Sequence, residues 1–205
     1  MSVNCSQDSA INEKGAHTLD SVMDTALEII KSSEGEYYLP VFGISMLPLL
    51  RAGDHVRIKQ IKGDLHRGDI VVFQKTNVLI THRVLHINYS DNMHTTYITK
   101  GDNSVLPDPP IKSGAIIGKV VAIRRNNREM RLDNRLWQIT NHLIGSLMSA
   151  LVMLYSAISG PRTIKTGEEL SFFNRLIRRF MMTISSLAIK LLQVIIGRWK
   201  PYHAA

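Results

Sequence analysis

Between Tyr37 and Arg124 the chain breaks into six short runs rich in β-branched and aromatic residues, each closed by turn chemistry. They fall at 37–44, 55–61, 70–74, 78–87, 95–99 and 115–123. Arg51-Ala52-Gly53-Asp54 and His66-Arg67-Gly68-Asp69 punctuate them. Glycine reaches backbone conformations closed to other residues, and an aspartate side chain bonds nearby backbone amides. No helical period of 10–15 residues intervenes, which excludes a βαβ rhythm and a parallel sheet. The pattern predicts a mainly β domain without internal repeats.

The flanks differ from this centre. Residues 1–17 are polar and lack the apolar segment of a secretory signal, so they are expected to be disordered. Apolar residues Val22, Met23, Ala26, Leu27, Ile29 and Ile30 recur at near-helical spacing and predict one short helix over 20–31. The β domain with this helix is expected over 18–125, and a basic helical tail over 126–205. Residues 1–122 carry 12 Lys and Arg against 13 Asp and Glu, whereas residues 123–205 carry 13 against 4. The whole positive excess therefore belongs to the tail. Cys5 is the one cysteine, so no internal disulfide forms.

Within the tail, 26 uncharged residues lie between Arg135 and Arg162, and 142–159 is their most apolar part. A stretch of about 20 apolar residues crosses a bilayer, so 142–159 is a candidate transmembrane helix; a helical hairpin packed on the β domain is the other reading. Over 171–197, Arg175, Arg179, Ser186, Lys190 and Gln193 form one helical stripe, with Phe173, Phe180, Ile184, Leu187, Leu191 and Ile195 on the rest. That predicts a basic amphipathic helix on a membrane surface. Arg124, Arg125, Arg128, Arg131 and Arg135 would add attraction to anionic lipid. The breadth of the apolar face favours lipid over nucleic acid as the partner.

Three blocks carry chemistry: Gly43-Ile44-Ser45-Met46-Leu47-Pro48, Thr81-His82-Arg83-Val84, and Lys100-Gly101-Asp102-Asn103-Ser104. A serine hydroxyl is a weak nucleophile at neutral pH and needs a base, itself oriented by a third group. Ser45, His82 and an acid downstream can fill those roles. Singly, Gly43 reads as a tight turn, Met46 as core filler and Pro48 as the end of a strand. Period-two alternation puts Ile80, His82, Val84 and His86 on one strand face, where His82 is either a structural histidine or a base. His82, His86 and His94 are the alternative, a metal site, but no cysteine pair or His-Glu-x-x-His helix accompanies them.

Taken together and in this order, the three blocks resemble signal peptidase I over roughly residues 37–124, and the histidine resembles the archaeal and endoplasmic-reticulum type. The bacterial type and the self-cleaving LexA and UmuD relatives carry lysine at the position of His82. The resemblance implies a signal-peptidase/LexA-like β catalytic domain followed by a helical membrane-associated tail. It makes Ser45 the nucleophile and His82 the general base. Asp108, six positions after Asp102, is the orienting acid, with Asp102 the alternate. Gly43, Met46 and Pro48 fall in its substrate-binding and oxyanion region. Most signal peptidases have a serine where Gly43 stands, so the oxyanion would rely on backbone N–H groups such as that of Ser45.

The implied activity is a membrane-bound serine endopeptidase that cuts signal or leader segments from preproteins, after small residues, with no metal or organic cofactor. A LexA-like self-processing module and an inactive peptidase fold serving in assembly are the alternatives. Residues 1–36, with one short helix, leave little room for a DNA-reading helix-turn-helix.

Overall fold

The computed structural model describes residues 35–76, 78–89, 95–104 and 106–159, with isolated positions between 176 and 201. The expected disorder over 1–17, the helix over 20–31 and most of 171–197 lie outside them.

Nine strands form one antiparallel sheet: β1 (Glu36–Pro40), β2 (His55–Lys59), β3 (Ile70–Lys75), β4 (Val78–Asn88), β5 (Thr96–Lys100), β6 (Ile111–Lys112), β7 (Ile116–Arg125), β8 (Arg128–Arg131) and β9 (Lys200–Pro201). The order is β1-β2-β7-β3-β4-β5-β6, with β8 on β7 and β9 on β8. Strand β7 organises the sheet. Its residues 119–124 pair with β2, and on its other edge 116–119 pair with β3 and 122–125 with β8. One continuous helix among the described residues, α1 (Arg135–Ser159), follows β8, and isolated positions between 176 and 191 are helical as well.

Local chemistry explains the strand ends. Gly53 and Gly68 have φ of 89° and 94°, the conformation that glycine adopts without steric cost. In both turns the aspartate carboxylate accepts the backbone N–H three residues back, Arg51 to Asp54 at 2.8 Å and His66 to Asp69 at 2.9 Å. Strand β3 reads Ile-Val-Val-Phe because both its faces are covered. Ile70 and Val72 enter the main core with Leu49, Leu50, Ile58, Ile123 and Trp137, while Val71 and Phe73 enter a second core with Leu65, Val84 and Ile116.

The expected boundary at 125/126 falls inside the β7–β8 hairpin. Asn126 and Asn127 turn it with φ of 46° and 57°, the two positive values a two-residue primed turn needs. Arg125 then grips the buried Asp54 carboxylate with two bonds, of 2.7 and 2.6 Å, and donates to the Leu49 carbonyl. Arg131 pairs with Asp133, and Arg124 lies 4.1 Å over the Tyr38 ring. Three of the five arginines expected to face lipid are thus engaged within the domain, and Arg128 and Arg135 stay exposed.

Asn134 caps α1 by accepting the Trp137 N–H at 2.8 Å. The helix then docks one face on the sheet, burying Trp137, Thr140, Asn141, Ile144, Met148 and Tyr155. This face belongs to the main core, and Ser149 Oγ donates to the Leu85 carbonyl of β4. Gly145 meets Gly68 so closely that a Cβ on Gly145 would stand 2.8 Å from the Gly68 Cα. On the opposite face Leu136, Ile139, Leu143, Leu147 and Leu154 are exposed. By length and composition α1 can cross a bilayer, yet the face packed on β4 makes it a wall of the β domain rather than a free anchor. Farther on, Leu176, Phe180, Leu187 and Leu191 are helical and exposed, at spacings of four, seven and four residues that put them on one stripe.

Candidate active site

The nucleophile candidate lies on the loop joining β1 to β2. This loop is anchored from below because Met46, Leu49 and Leu50 are buried in the main core. Met46 is 2% exposed, and its sulfur takes the Asp102 backbone N–H at 3.4 Å. Its side chain therefore supports the loop and lines no substrate cleft, which leaves only its backbone for the binding role expected of it. Gly43 is exposed, and a Cβ there would sit 4.0 Å from Ser45 N and Oγ, in ordinary contact. Pro48 is half-buried. The Ser45 backbone N–H donates to no acceptor among the described residues, so it is available to a developing oxyanion.

His82 comes from the middle of β4. It is buried, with its ring edge-on to Phe73 at 6.1 Å. Its Nε2 lies 3.1 Å from Ser45 Oγ and its Nδ1 lies 2.6 Å from Asp108 Oδ2. An ionised carboxylate only accepts, so Asp108 holds the ring proton on Nδ1 and leaves Nε2 free to accept from the serine. Thr99 Oγ1 donates to the same carboxylate oxygen at 2.7 Å, and the Asp108 N–H donates to the Thr99 carbonyl at 2.7 Å. Burial alone would raise the Asp108 pKa; the hydrogen bonds from His82 and Thr99 outweigh it and leave the carboxyl below its usual range.

Asp102 has a different partner. Arg83 Nε and Nη2 donate to its two carboxylate oxygens at 2.8 Å each, and both side chains are fully buried. The turn that Asp102 begins is moulded on the nucleophile loop: Asn103 donates its backbone N–H to the Ser45 carbonyl at 2.7 Å and its Nδ2 to the Ile44 carbonyl at 3.0 Å.

His86 is exposed and does not share the His82 face. A β-bulge between Val84 and His86 inserts one residue, so Val84 and Leu85 enter opposite cores and the alternation is out of phase beyond them. His94 lies outside the described residues, and among those described no group of three His, Cys, Asp or Glu could hold a metal ion.

Two site residues were not singled out from the sequence as such. A Cβ on Gly101 would stand 2.7 Å from the Ser45 carbonyl oxygen, 2.7 Å from Ser104 Oγ and 3.0 Å from His82 Nε2, so only glycine lets this turn approach the Ser-His pair. The other is Lys100, fully buried beside it, whose Nζ donates to the Gly101 carbonyl at 2.9 Å.

Burial disfavours the Lys100 ammonium and lowers its pKa from 10.5 to about 8, with Asp102 opposing the shift and Arg83 adding to it. Below pH 8 the amine is charged in both the folded and unfolded states, and folding carries the full cost. Between about 8 and 10.5 the folded protein has shed a proton that the unfolded chain still holds, so stability rises with pH. In denaturant titrations the stability of the parent relative to Lys100→Met should therefore rise by about 3 kcal/mol from pH 7 to pH 10.5. A difference that does not change with pH would contradict a buried charged lysine.

The loops that carry Ser45 and Asp108 each present exposed apolar side chains. Phe42 is 85% exposed and Ile44 60% exposed on either side of Gly43, and Leu106 is exposed on the loop that carries Asp108. A family model described as Peptidase S24-like matches residues 5–121, more than half of the chain, and this span includes Ser45, His82, Asp102 and Asp108.

Proposed function

This chain belongs to the S24-like peptidases, and from that premise we propose that it is a serine endopeptidase of signal-peptidase-I type that removes signal or leader segments from membrane-inserted or exported proteins. The observation that carries this reading is the unbroken relay from Ser45 Oγ to His82 Nε2 and from His82 Nδ1 to Asp108. Histidine in the base position supports the archaeal and endoplasmic-reticulum type.

In this mechanism a neutral His82 takes the Ser45 proton as the hydroxyl oxygen attacks the scissile carbonyl. Asp108 orients the ring and stabilises the imidazolium that forms. The Ser45 N–H donates to the oxyanion. His82 then gives its proton to the departing amine and activates water to release the acyl group. Phe42, Ile44 and Leu106 favour a substrate with apolar residues near the cut.

Membrane association is part of the proposal. The uncovered face of α1 and the exposed Leu176, Phe180, Leu187 and Leu191 supply apolar area for lipid, and Arg128, Arg135 and Arg179 are exposed cations. This would hold Ser45 near the headgroups, where the cleavage region of an inserted preprotein is found.

Gly43 favours one other reading. The self-processing repressor relatives carry glycine there, so the scissile bond could lie in this same chain. The experiment that separates the two incubates the full-length protein in anionic vesicles with a preprotein bearing small residues before the cut. Cleavage of the added preprotein at a rate proportional to enzyme supports the peptidase acting in trans. Cutting of the chain itself, first order and independent of concentration, would instead establish self-processing, and cutting of neither would leave an inactive fold used in assembly.

A further inference from the structure

Helix α1 follows the segment that the family model matches, yet one of its side chains reaches the framework of the Ser-His pair. Asn141 is 6% exposed, and its Oδ1 accepts from Arg83 Nη1 at 2.9 Å. Arg83 is the residue after His82. Its guanidinium is fully committed, with Nε and Nη2 on Asp102 and Nη1 shared between Asn141 and the Gly68 carbonyl at 2.9 Å. Asp102 in turn positions Asn103, whose two donors hold the Ser45 and Ile44 carbonyls.

The helix has little freedom to slide away from this contact. A Cβ on Gly68 would lie 2.1 Å from the Asn141 carbonyl oxygen, so helix and turn touch backbone to backbone at the point where Asn141 reaches inward. Trp137, Ile144 and Met148 lock the same face into the main core.

We infer that α1 is a working part of the active site: Asn141, through Arg83, Asp102 and Asn103, is a positioning residue that holds the nucleophile loop against His82. This rests on the reading of Ser45 and His82 as the reacting pair. The contact with Arg83 uses only Oδ1 of Asn141, so an aspartate in its place keeps the acceptor, whereas serine is too short to reach and leucine has nothing to offer.

The test uses the full-length protein in vesicles with the preprotein substrate, at a temperature where far-UV circular dichroism shows each variant folded. Asn141→Leu and Asn141→Ser should lower kcat by about ten-fold with little change in KM, because a shift of the loop harms the reacting geometry rather than binding. Asn141→Asp should recover most of that loss. Parental kcat in folded Asn141→Ser, or equal impairment of the aspartate and serine variants, would overturn the inference.

Ser45→Ala keeps the two readings apart. Cleavage that survives Ser45→Ala, or no cleavage by the parent, means that the peptidase reading has failed, and the clamp is then read by NMR of the His82 ring. Asn141→Ser should move the Nε2 resonance, the nitrogen that faces Ser45, and Asn141→Asp should return it. An Nε2 resonance that stays in place in Asn141→Ser shows that α1 does not position the pair.

Discussion

Ser45→Ala and His82→Ala are each expected to lower preprotein cleavage to the level of a blank while leaving the sheet folded. The two side chains act as one unit at 3.1 Å, so losing either removes the attacking alkoxide equivalent altogether. Single knock-outs of such a unit cost on the order of a million-fold in kcat. Ser45 is only partly buried and His82 makes one edge contact with Phe73, so neither truncation opens a large cavity. Asp108→Asn should cost less than either, because the serine and its base remain, but the amide lets the ring take the wrong tautomer. Asp102→Asn should cost less than Asp108→Asn, lowering stability and, through Asn103, loosening the nucleophile loop. Measurable turnover by Ser45→Ala, at any pH, ends the assignment of this serine as nucleophile.

The Asp108 carboxyl, held below its usual range by the His82 and Thr99 hydrogen bonds, stays charged in mild acid, so its protonation does not limit cleavage near neutral pH.

The second large effect is on folding. Arg83→Met is expected to destabilise the protein by about 3–5 kcal/mol, the usual cost of removing one partner from a buried ion pair. The Asp102 carboxylate would be left in the core without its two donors, and the Gly68 carbonyl and Asn141 Oδ1 would lose one each. Adding Asp102→Asn should restore part of the loss, because the neutral amide is cheaper to bury unpaired. Chemical denaturation of the two single variants and the double variant measures this directly. Additive losses would show that Arg83 and Asp102 contribute independently and that the bidentate pair is no unit.

Much of this fold was legible in the chain. The six expected strands all appear, the first ending at Pro40, because each is a β-rich run, and the Gly53-Asp54 and Gly68-Asp69 turns before β2 and β3 follow from residue type. Strand β8 has no β signature: three of its four residues, Arg128, Glu129 and Arg131, are charged and only Met130 is apolar and buried, so the run looks like a charged loop. The Asn126-Asn127 pair was the available signal, being the kind of dipeptide that accepts positive φ twice in succession. The bulge after Val84 was hidden because Val84, Leu85 and Ile87 are all apolar and fit either phase.

For the site, the spacing of Ser45 and His82 suggested a pair, and the structure brings them together. Asp108 carried no local signal of its own and came only with the resemblance. Gly101 looks like ordinary turn glycine in the sequence, since most of what it must avoid lies far off in the chain, on the β1–β2 loop and on β4. The docked face of α1 was equally hidden. The helix is apolar all round, so periodicity cannot say which side is covered, and only Asn141 and Gly145, one turn apart, mark the side that meets Gly68.

The pairing of β7 decides when the two halves of the Ser-His pair come under one sheet. Strands β2 and β3 are not neighbours; each pairs with β7, which comes much later in the chain. Ser45 rides on the connection into β2, and His82 on β4, the strand beside β3. Until β7 closes both non-local pairings, no strand pairing links the hairpin that leads out of Ser45 to the one that carries His82, and the turn at Asn103 bridges them. The last long strand to be made therefore fixes the geometry of two loops that precede it.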